Sequence, residues 1–338
     1  MHLLGLGSCG NFNSSFSLRP VAIFRVLSAL LFFAVACSAT AQAYPSKPVR
    51  LIVPFAAGGP ADIQARLIGP KLTEAWGQPV VVENRPGGNT IIATELTARA
   101  DPDGHLIQVI SAGFAINVSL YAKLPYDSLR DFAPVTQLTS GPAIVVVHPS
   151  LPAHSVKELI ALARAKPGQL IYASAGLPSQ LAVELFKVMT GTDMVHVQYK
   201  GAAPAMIDLI AGHVQVSFPT IIGALAHVRS GRLRALATTG AKRAPAAPDL
   251  PTMIEAGVPG YEAANWFGVV VPAKAPQPIV AKLSQDIGKT LTLPDVRERL
   301  LNQGMEPVSS TPEEFSAHIK SEMAKWARVV KASGARPD

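Results

Sequence analysis

The sequence predicts an α/β fold of two lobes, with mainly parallel sheets and a ligand cleft between the lobes. Three observations lead there. Short apolar runs rich in Val and Ile alternate with stretches of helical periodicity. The runs are apolar almost throughout rather than at every second position, as in strands covered on both faces. Two extended stretches, 132–149 and 261–276, read as crossings from one lobe to the other. Two crossings make one lobe discontinuous. Residues 44–143 and 266–338 form the first lobe and 144–265 the second. A hinge of this kind leaves a cleft, where small ligands commonly bind.

The chain has 338 residues, enough for two sizeable cores, and 49% hydrophobic with 16% charged residues argues against disorder. Residues 1–43 differ from the rest and contain no acidic residue. Arg19 and Arg25 precede the apolar run 26–36, and small residues end at Ala41-Gln42-Ala43. That is a secretory signal peptide, and its run is too short for a membrane-spanning helix. Cleavage after Ala43 removes Cys9 and Cys37, so no disulfide, thiol nucleophile or thiolate ligand is expected in the mature protein. The formal net charge falls from +7 to +5, as Arg19 and Arg25 leave and no acidic residue does. The remaining cations are scattered, which disfavours nucleic acid and suits small anions.

Strands are expected at 49–53, 80–82, 106–110, 143–147, 170–173, 195–199, 214–218, 233–237 and 267–271. Helices are expected at 62–76, 90–100, 155–166, 180–190, 204–211, 221–230, 278–291 and 312–331. Gly69-Pro70 should kink the first helix. Ser155 with Glu158, and Thr311 with Glu314, read as capping boxes. Phe315, Ile319, Met323, Trp326 and Val330 recur at helical spacing and read as a core face.

Four strand-to-helix loops carry candidate chemistry. Phe55-Ala56-Ala57-Gly58-Gly59-Pro60-Ala61-Asp62 opens a helix, where glycines turn backbone N–H groups toward an anion. It is neither GxGxxG nor a P-loop, and Asp62 also suits an N-cap. Arg85, in Asn84-Arg85-Pro86-Gly87-Gly88, either meets an acidic ligand or is solvated on a surface turn, and the turn is favoured. Tyr172-Ala173-Ser174-Ala175-Gly176 lacks the first glycine of a nucleophile elbow but offers N–H and hydroxyl donors. Tyr199-Lys200-Gly201-Ala202-Ala203-Pro204 places Lys200 at a cleft rim or in solvent. His148, His154, His196, His213, His227 and His318 are dispersed, without HExxH, and no metal or cofactor is expected. His196 reads as a core histidine, and no carboxylate pair stands out for acid–base work.

Together these segments resemble the Bug family, the periplasmic substrate-binding proteins of tripartite tricarboxylate transporters. The matching residues include Tyr44-Pro45-Ser46-Lys47-Pro48, the 54–62 loop, Glu83-Asn84-Arg85-Pro86-Gly87, Pro102-Asp103-Gly104-His105 and Leu120-Tyr121-Ala122-Lys123-Leu124-Pro125-Tyr126-Asp127. Further on come Val195-His196-Val197-Gln198-Tyr199-Lys200-Gly201, Asp208-Leu209-Ile210-Ala211-Gly212, Leu250-Pro251-Thr252 and Trp266-Phe267-Gly268. The resemblance implies a type II periplasmic-binding fold closing on one small carboxylate. It places the ligand against Phe55, Gly58, Gly59, Pro60, Ala61 and Asp62 of the first lobe. Ser111, Ala115 and Asn117 match a second wall. Ser174, Ala175 and Gly176, with Gly201, Ala202, Ala203 and Pro204, match the donor loops of the second lobe. Trp266 falls near the crossing, in a wall or hinge role. Three departures bear on the ligand: Ala61 replaces a usual hydroxyl, the 176–180 loop is short, and Pro219-Thr220 replaces polar residues.

The sequence thus reads as a periplasmic, monomeric, non-enzymatic binder of a small organic anion that delivers it to an integral-membrane permease. A ligand sensor docking on a signalling receptor and an exported α/β hydrolase remain the rivals.

Overall fold

A computed structural model describes residues 44–199 and 201–335. The expected signal peptide and Lys200 lie outside the described residues. The first part runs β1 (Val49–Val53), α1 (Pro60–Trp76), β2 (Val80–Asn84), α2 (Ile91–Ala98), β3 (Leu106–Ser111), α3 (Ala112–Leu120) and β4 (Phe132–Pro142). Next come β5 (Ile144–Val147), α4 (Val156–Ala165), β6 (Ile171–Ser174), α5 (Leu177–Thr190), β7 (Val195–Gln198), α6 (Ala202–Ala211), β8 (Val216–Ser217), α7 (Ile221–Arg229) and β9 (Arg234–Thr238). The last part is β10 (Ala264–Pro272), α8 (Gln277–Thr292), α9 (Pro294–Asn302), β11 (Glu306–Pro307) and α10 (Pro312–Ser333).

The strands form a six-stranded sheet, order β11-β4-β10-β3-β1-β2, and a five-stranded sheet, order β7-β6-β8-β5-β9. The chain leaves the first sheet between Pro142 and Ile144 and returns to it at Ala264. Both sheets are mixed rather than mainly parallel. β1 is parallel to β2 and β3, and β6 to β7 and β8. The antiparallel partners are chiefly strands that enter or leave a sheet. β10 runs antiparallel to β3 and β4, and β5 to β8 and β9. A crossing strand arrives from the opposite end of the sheet, which a helix-linked parallel strand does not.

Several elements escaped the sequence reading. α3 is apolar nearly all round, so it has no amphipathic stripe to detect; Ser111 Oγ starts it by accepting the Gly113 N–H at 3.3 Å. α9 buries only Val296 and Leu300, too few for a period. β4, expected only as an extended crossing, pairs with β10 from Ala264↔Pro142 to Pro272↔Phe132. α1 continues through Pro70, while Gly69 brings it close to Val80 and Val82 of β2. Thr311 and Glu314 form a complete capping box, but Glu158 accepts the N–H of His154 rather than that of Ser155.

The largest core crosses from one sheet to the other. It joins Ile110, Phe114 and Trp266 to Val145, Tyr172 and Phe186, with Phe315, Ile319 and Trp326 of α10 in the same cluster. Burial of such side chains gives ~1.5–3 kcal/mol each. A second cluster, including Val146, Ala173, Leu209 and Val214, belongs to the second sheet. α10 is tied to β10 by the Glu322 carboxylate, which accepts the indole N–H of Trp266 at 3.0 Å and of Trp326 at 2.9 Å. Lys325 pairs with the same carboxylate. The Phe315 ring lies directly on the backbone of Gly268.

A Cβ at residue 268 would stand 2.1 Å from Phe315 Cζ, with both groups buried. Gly268→Ala should therefore destabilise the protein by at least ~2 kcal/mol in urea unfolding. A loss below ~0.5 kcal/mol would contradict this packing.

Candidate functional site

A cleft of about 280 Å³ opens at the carboxyl ends of β6, β7 and β8. Ala175, Gly176, Pro178 and Ser179 contribute the start of α5, and Ala202 and Met206 the first turns of α6. Pro219 and Thr220 lead into α7, and Ala112 begins α3. The crossings supply the remaining wall, through Gly141–Ala143 on one side and Ala263–Asn265 on the other. Ligands of open α/β sheets gather at this end of the strands because the helix N-termini lie there.

Among the described residues, no Lys, Arg, His, Asp or Glu lines the cleft. Its electrostatics come from the backbone. The N-caps of α5 and α6 are Gly176 at φ 148° and Gly201 at φ 121°, and neither provides a side-chain cap. Only glycine adopts these angles without strain. The first-turn N–H groups thus keep their capacity for an external acceptor, and the helix dipoles add positive potential. α7 is capped in part, since Thr220 Oγ1 accepts the Gly223 N–H at 3.3 Å.

The cleft hydroxyls are largely committed. Ser179 Oγ donates to Gly176 O at 2.8 Å and accepts the Ala175 N–H at 3.1 Å. Ser217 Oγ donates to Ala173 O at 2.9 Å. Asn265, half-buried, is the exception: its amide has no protein partner among the described residues. Strand alternation explains the neighbouring residues. Trp266 is packed in the core on Glu322, while Asn265 lines the cleft. The sequence reading weighed Trp266 and missed Asn265, although the period of two could have identified it. Trp326, read as part of a core stripe, is buried and also forms part of the cleft wall.

Of the expected site residues, Ala175, Gly176 and Ala202 line this cleft, and Gly201, Ala203 and Pro204 adjoin Ala202 in the α6 start. Phe55 stands edge-on to Phe267 at 6.3 Å, and Phe267 pairs with Ser111. The 55–62 loop therefore lies at the same end of the first sheet as Ala112, beside the cleft rather than in its wall. Gly59, not Asp62, is the N-cap of α1, with Pro60 in its first turn. Asp62, 3% exposed and beside buried Ala61, accepts the Gly58 N–H at 2.9 Å, pairs with Arg66 at 3.0 Å and accepts from Asn84 at 2.9 Å. Burial pushes its pKa up, but these three partners outweigh that and hold it below the usual value. The Asp62 side chain thus closes the loop and commits the Gly58 amide.

Ser111 caps α3, and Ala115 and Asn117 are fully buried. Asn117 Nδ2 donates to Asn89 O at 2.8 Å, so this pair faces inward. Arg85 is half-exposed and pairs with Glu83, as expected of a surface turn. Glu83 is held at a pKa of about 2, chiefly by its hydrogen bonds from Arg50 and then by those from Arg85, against the upward push of burial. Ser174 Oγ lies 2.7 Å from His196 Nε2, and Tyr172 stacks on the imidazole at 4.8 Å. Ser174 is 1% exposed, so the pair fastens β6 to β7.

A family model described as the tripartite tricarboxylate transporter family receptor matches residues 64–335. The chain is 38% identical to Protein BugT of Bordetella pertussis over 306 residues, 89% of this chain and 94% of that one. A solved R. palustris protein with adipate is 37% identical, with a TM-score of 0.73 over 87% of this chain and 100% of its own. MatC from Rhodopseudomonas palustris, solved with bound malate, is 32% identical, with a TM-score of 0.70 over 85% and 100%.

The polar groups separate into structural and unengaged ones, and unfolding measurements can tell them apart. Ser174→Ala strips a partner from His196 and should cost ~1–3 kcal/mol. Asn265→Ala removes no side-chain hydrogen bond to the described residues and should stay within ~0.5 kcal/mol of wild type. A loss above ~1 kcal/mol for Asn265→Ala would show that its amide is structural.

Proposed function

Since the chain belongs to the tripartite tricarboxylate transporter receptor family, we propose that it is an exported, periplasmic, monomeric solute-binding protein. It captures a small organic carboxylate and hands it to the membrane permease of such a transporter, without chemical conversion. The observation that carries this reading is a cleft at the glycine-capped starts of α5 and α6 that no charged side chain lines among the described residues. Backbone N–H groups at fixed helix ends bind a carboxylate without the cost of desolvating a cationic side chain. The R. palustris relatives solved with adipate and malate support the ligand class.

In this proposal the 44–143 and 266–338 lobe closes on the 144–265 lobe about the two crossings. Closure brings the Gly58–Asp62 loop against the anion already held by the α5 and α6 starts. Ala61 and Asp62, in the first turn of α1, still have N–H groups to contribute. The 2.7 Å Ser174–His196 pair is the one feature that favours an exported hydrolase. Burial of Ser174 and a Tyr172 where the elbow needs glycine weigh against it.

A thermal-shift panel of mono-, di- and tricarboxylates tests the reading. At least one carboxylate should raise the melting temperature, following RT ln(1 + [L]/Kd), while neutral amides of the same skeletons should not. A Val at residue 59 fits the free protein, because Gly59 has φ −79° and a Cβ there meets only Ala56 O at 3.6 Å. Gly59→Val should remain folded yet weaken binding at least ~tenfold in calorimetry, and Arg85→Ala should change it little. Loss of binding in Arg85→Ala alone would move recognition to a side-chain ion pair.

A further inference from the structure

The inner wall of the cleft narrows the ligand class, an argument that rests on the carboxylate reading above. Ala182, one and a half turns into α5, and Leu209, two turns into α6, are buried lining residues. Phe218 at the end of β8 and Trp326 on α10 are likewise buried and line it. Met206, half-buried, stands between the mouth and this wall on α6. The exposed lining residues are those at the helix starts, including Ala175, Pro178 and Ala202. Anion-holding groups and apolar groups are therefore segregated, with helix ends at the mouth and aromatic and aliphatic carbon within.

We infer that the ligand is a monocarboxylate, whose single anionic head meets the α5 and α6 starts and whose uncharged apolar body fills the pocket of Met206, Leu209, Phe218 and Trp326. A second carboxylate at the inner end would meet the carbon of Ala182, Leu209, Phe218 and Trp326 and, among the described residues, no cation. An anion buried without a partner is strongly disfavoured. The neutral donors do not replace a cation. The Ser179 and Ser217 hydroxyl protons already go to Gly176 O and Ala173 O. Asn265 supplies one amide, and Thr220, exposed at the α7 start, one hydroxyl proton at the mouth, enough to orient a single head group or a neutral substituent. The volume of about 280 Å³ corresponds to roughly nine waters at ~30 Å³ each. That accommodates a medium aliphatic or single-ring acid.

Hexanoate and adipate share a carbon chain and differ only in the second carboxylate, so they form the probe pair. Calorimetry on the exported protein should give hexanoate at least ~tenfold tighter than adipate, and phenylacetate should also bind. Met206→Arg places a cation on the half-buried rim of the inner pocket and should narrow or reverse the preference, with a melting curve as the folding control. Adipate binding as tightly as hexanoate to the wild-type protein overturns this inference and leaves the carboxylate reading intact. Hexanamide binding as tightly as hexanoate, or no binding by any of these acids, citrate or malate, overturns the carboxylate reading and this inference with it.

Discussion

The Glu322 carboxylate is the contact on which the cleft depends. It is a buried anion satisfied by two indole N–H groups and by Lys325, one indole on the returning strand β10 and the other on the terminal helix α10. Taking one partner from a buried charge leaves it uncompensated, an effect of ~3–5 kcal/mol. That stake fixes the spacing of β10 and α10. It holds Trp326 as inner wall, while the pairing of β10 with β4, Asn265 opposite Gly141, sets the position of Asn265 at the cleft. The Phe315 ring on Gly268 reinforces the same junction from two turns earlier in the helix. His318, on the same helix, packs against Trp266 at 5.1 Å, and burial lowers its pKa. Burial there outweighs the Glu322 carboxylate, which pulls the other way.

Once that junction is set, the proposed recognition rests on what the sequence withholds. A side-chain acceptor at the α5 or α6 N-cap would satisfy the helix ends internally. Gly176 and Gly201 leave them open, while Thr220, Ser111 and Thr311 close theirs in α7, α3 and α10. The loop after β1 is intermediate. Its glycine N-cap is open, but Asp62 already engages Gly58 and draws Arg66 and Asn84 into the same knot. Backbone donors suit a receptor that must also release its cargo, because no strong ion pair has to be broken.

Much of this was legible in the sequence because it rests on local chemistry. Apolar runs located most of the strands, Thr311 with Glu314 marked the start of α10, and loops after strands marked the glycine-capped starts of α5 and α6. What escaped depends on contacts distant in sequence. α3 is apolar nearly all round, so periodicity is silent. β11 is a two-residue strand that exists only because β4 is beside it. The mixed character of the sheets follows from where the crossings enter, which no local pattern records. Within the site, the glycine-led loops were visible, whereas Asn265 and the inner apolar wall were not. Their placement follows from the pairing of β10 with β4 and the packing of α10. Asn117 illustrates the reverse: it is polar and was matched to a pocket wall, yet it is fully buried within α3 and bonded to Asn89.

The central claim is that backbone N–H groups at helix starts hold the carboxylate. Amide chemical shifts in a ¹H–¹⁵N NMR titration with adipate or hexanoate, whichever stabilises the protein, test it most directly. The account predicts the largest shifts at Leu177, Ala202 and Ala203, joined by Ala61 and Asp62 as the lobes close, with Arg85 nearly unmoved. Shifts concentrated at Arg85 and Glu83, with Ala202 and Ala203 unchanged at saturation, would contradict it.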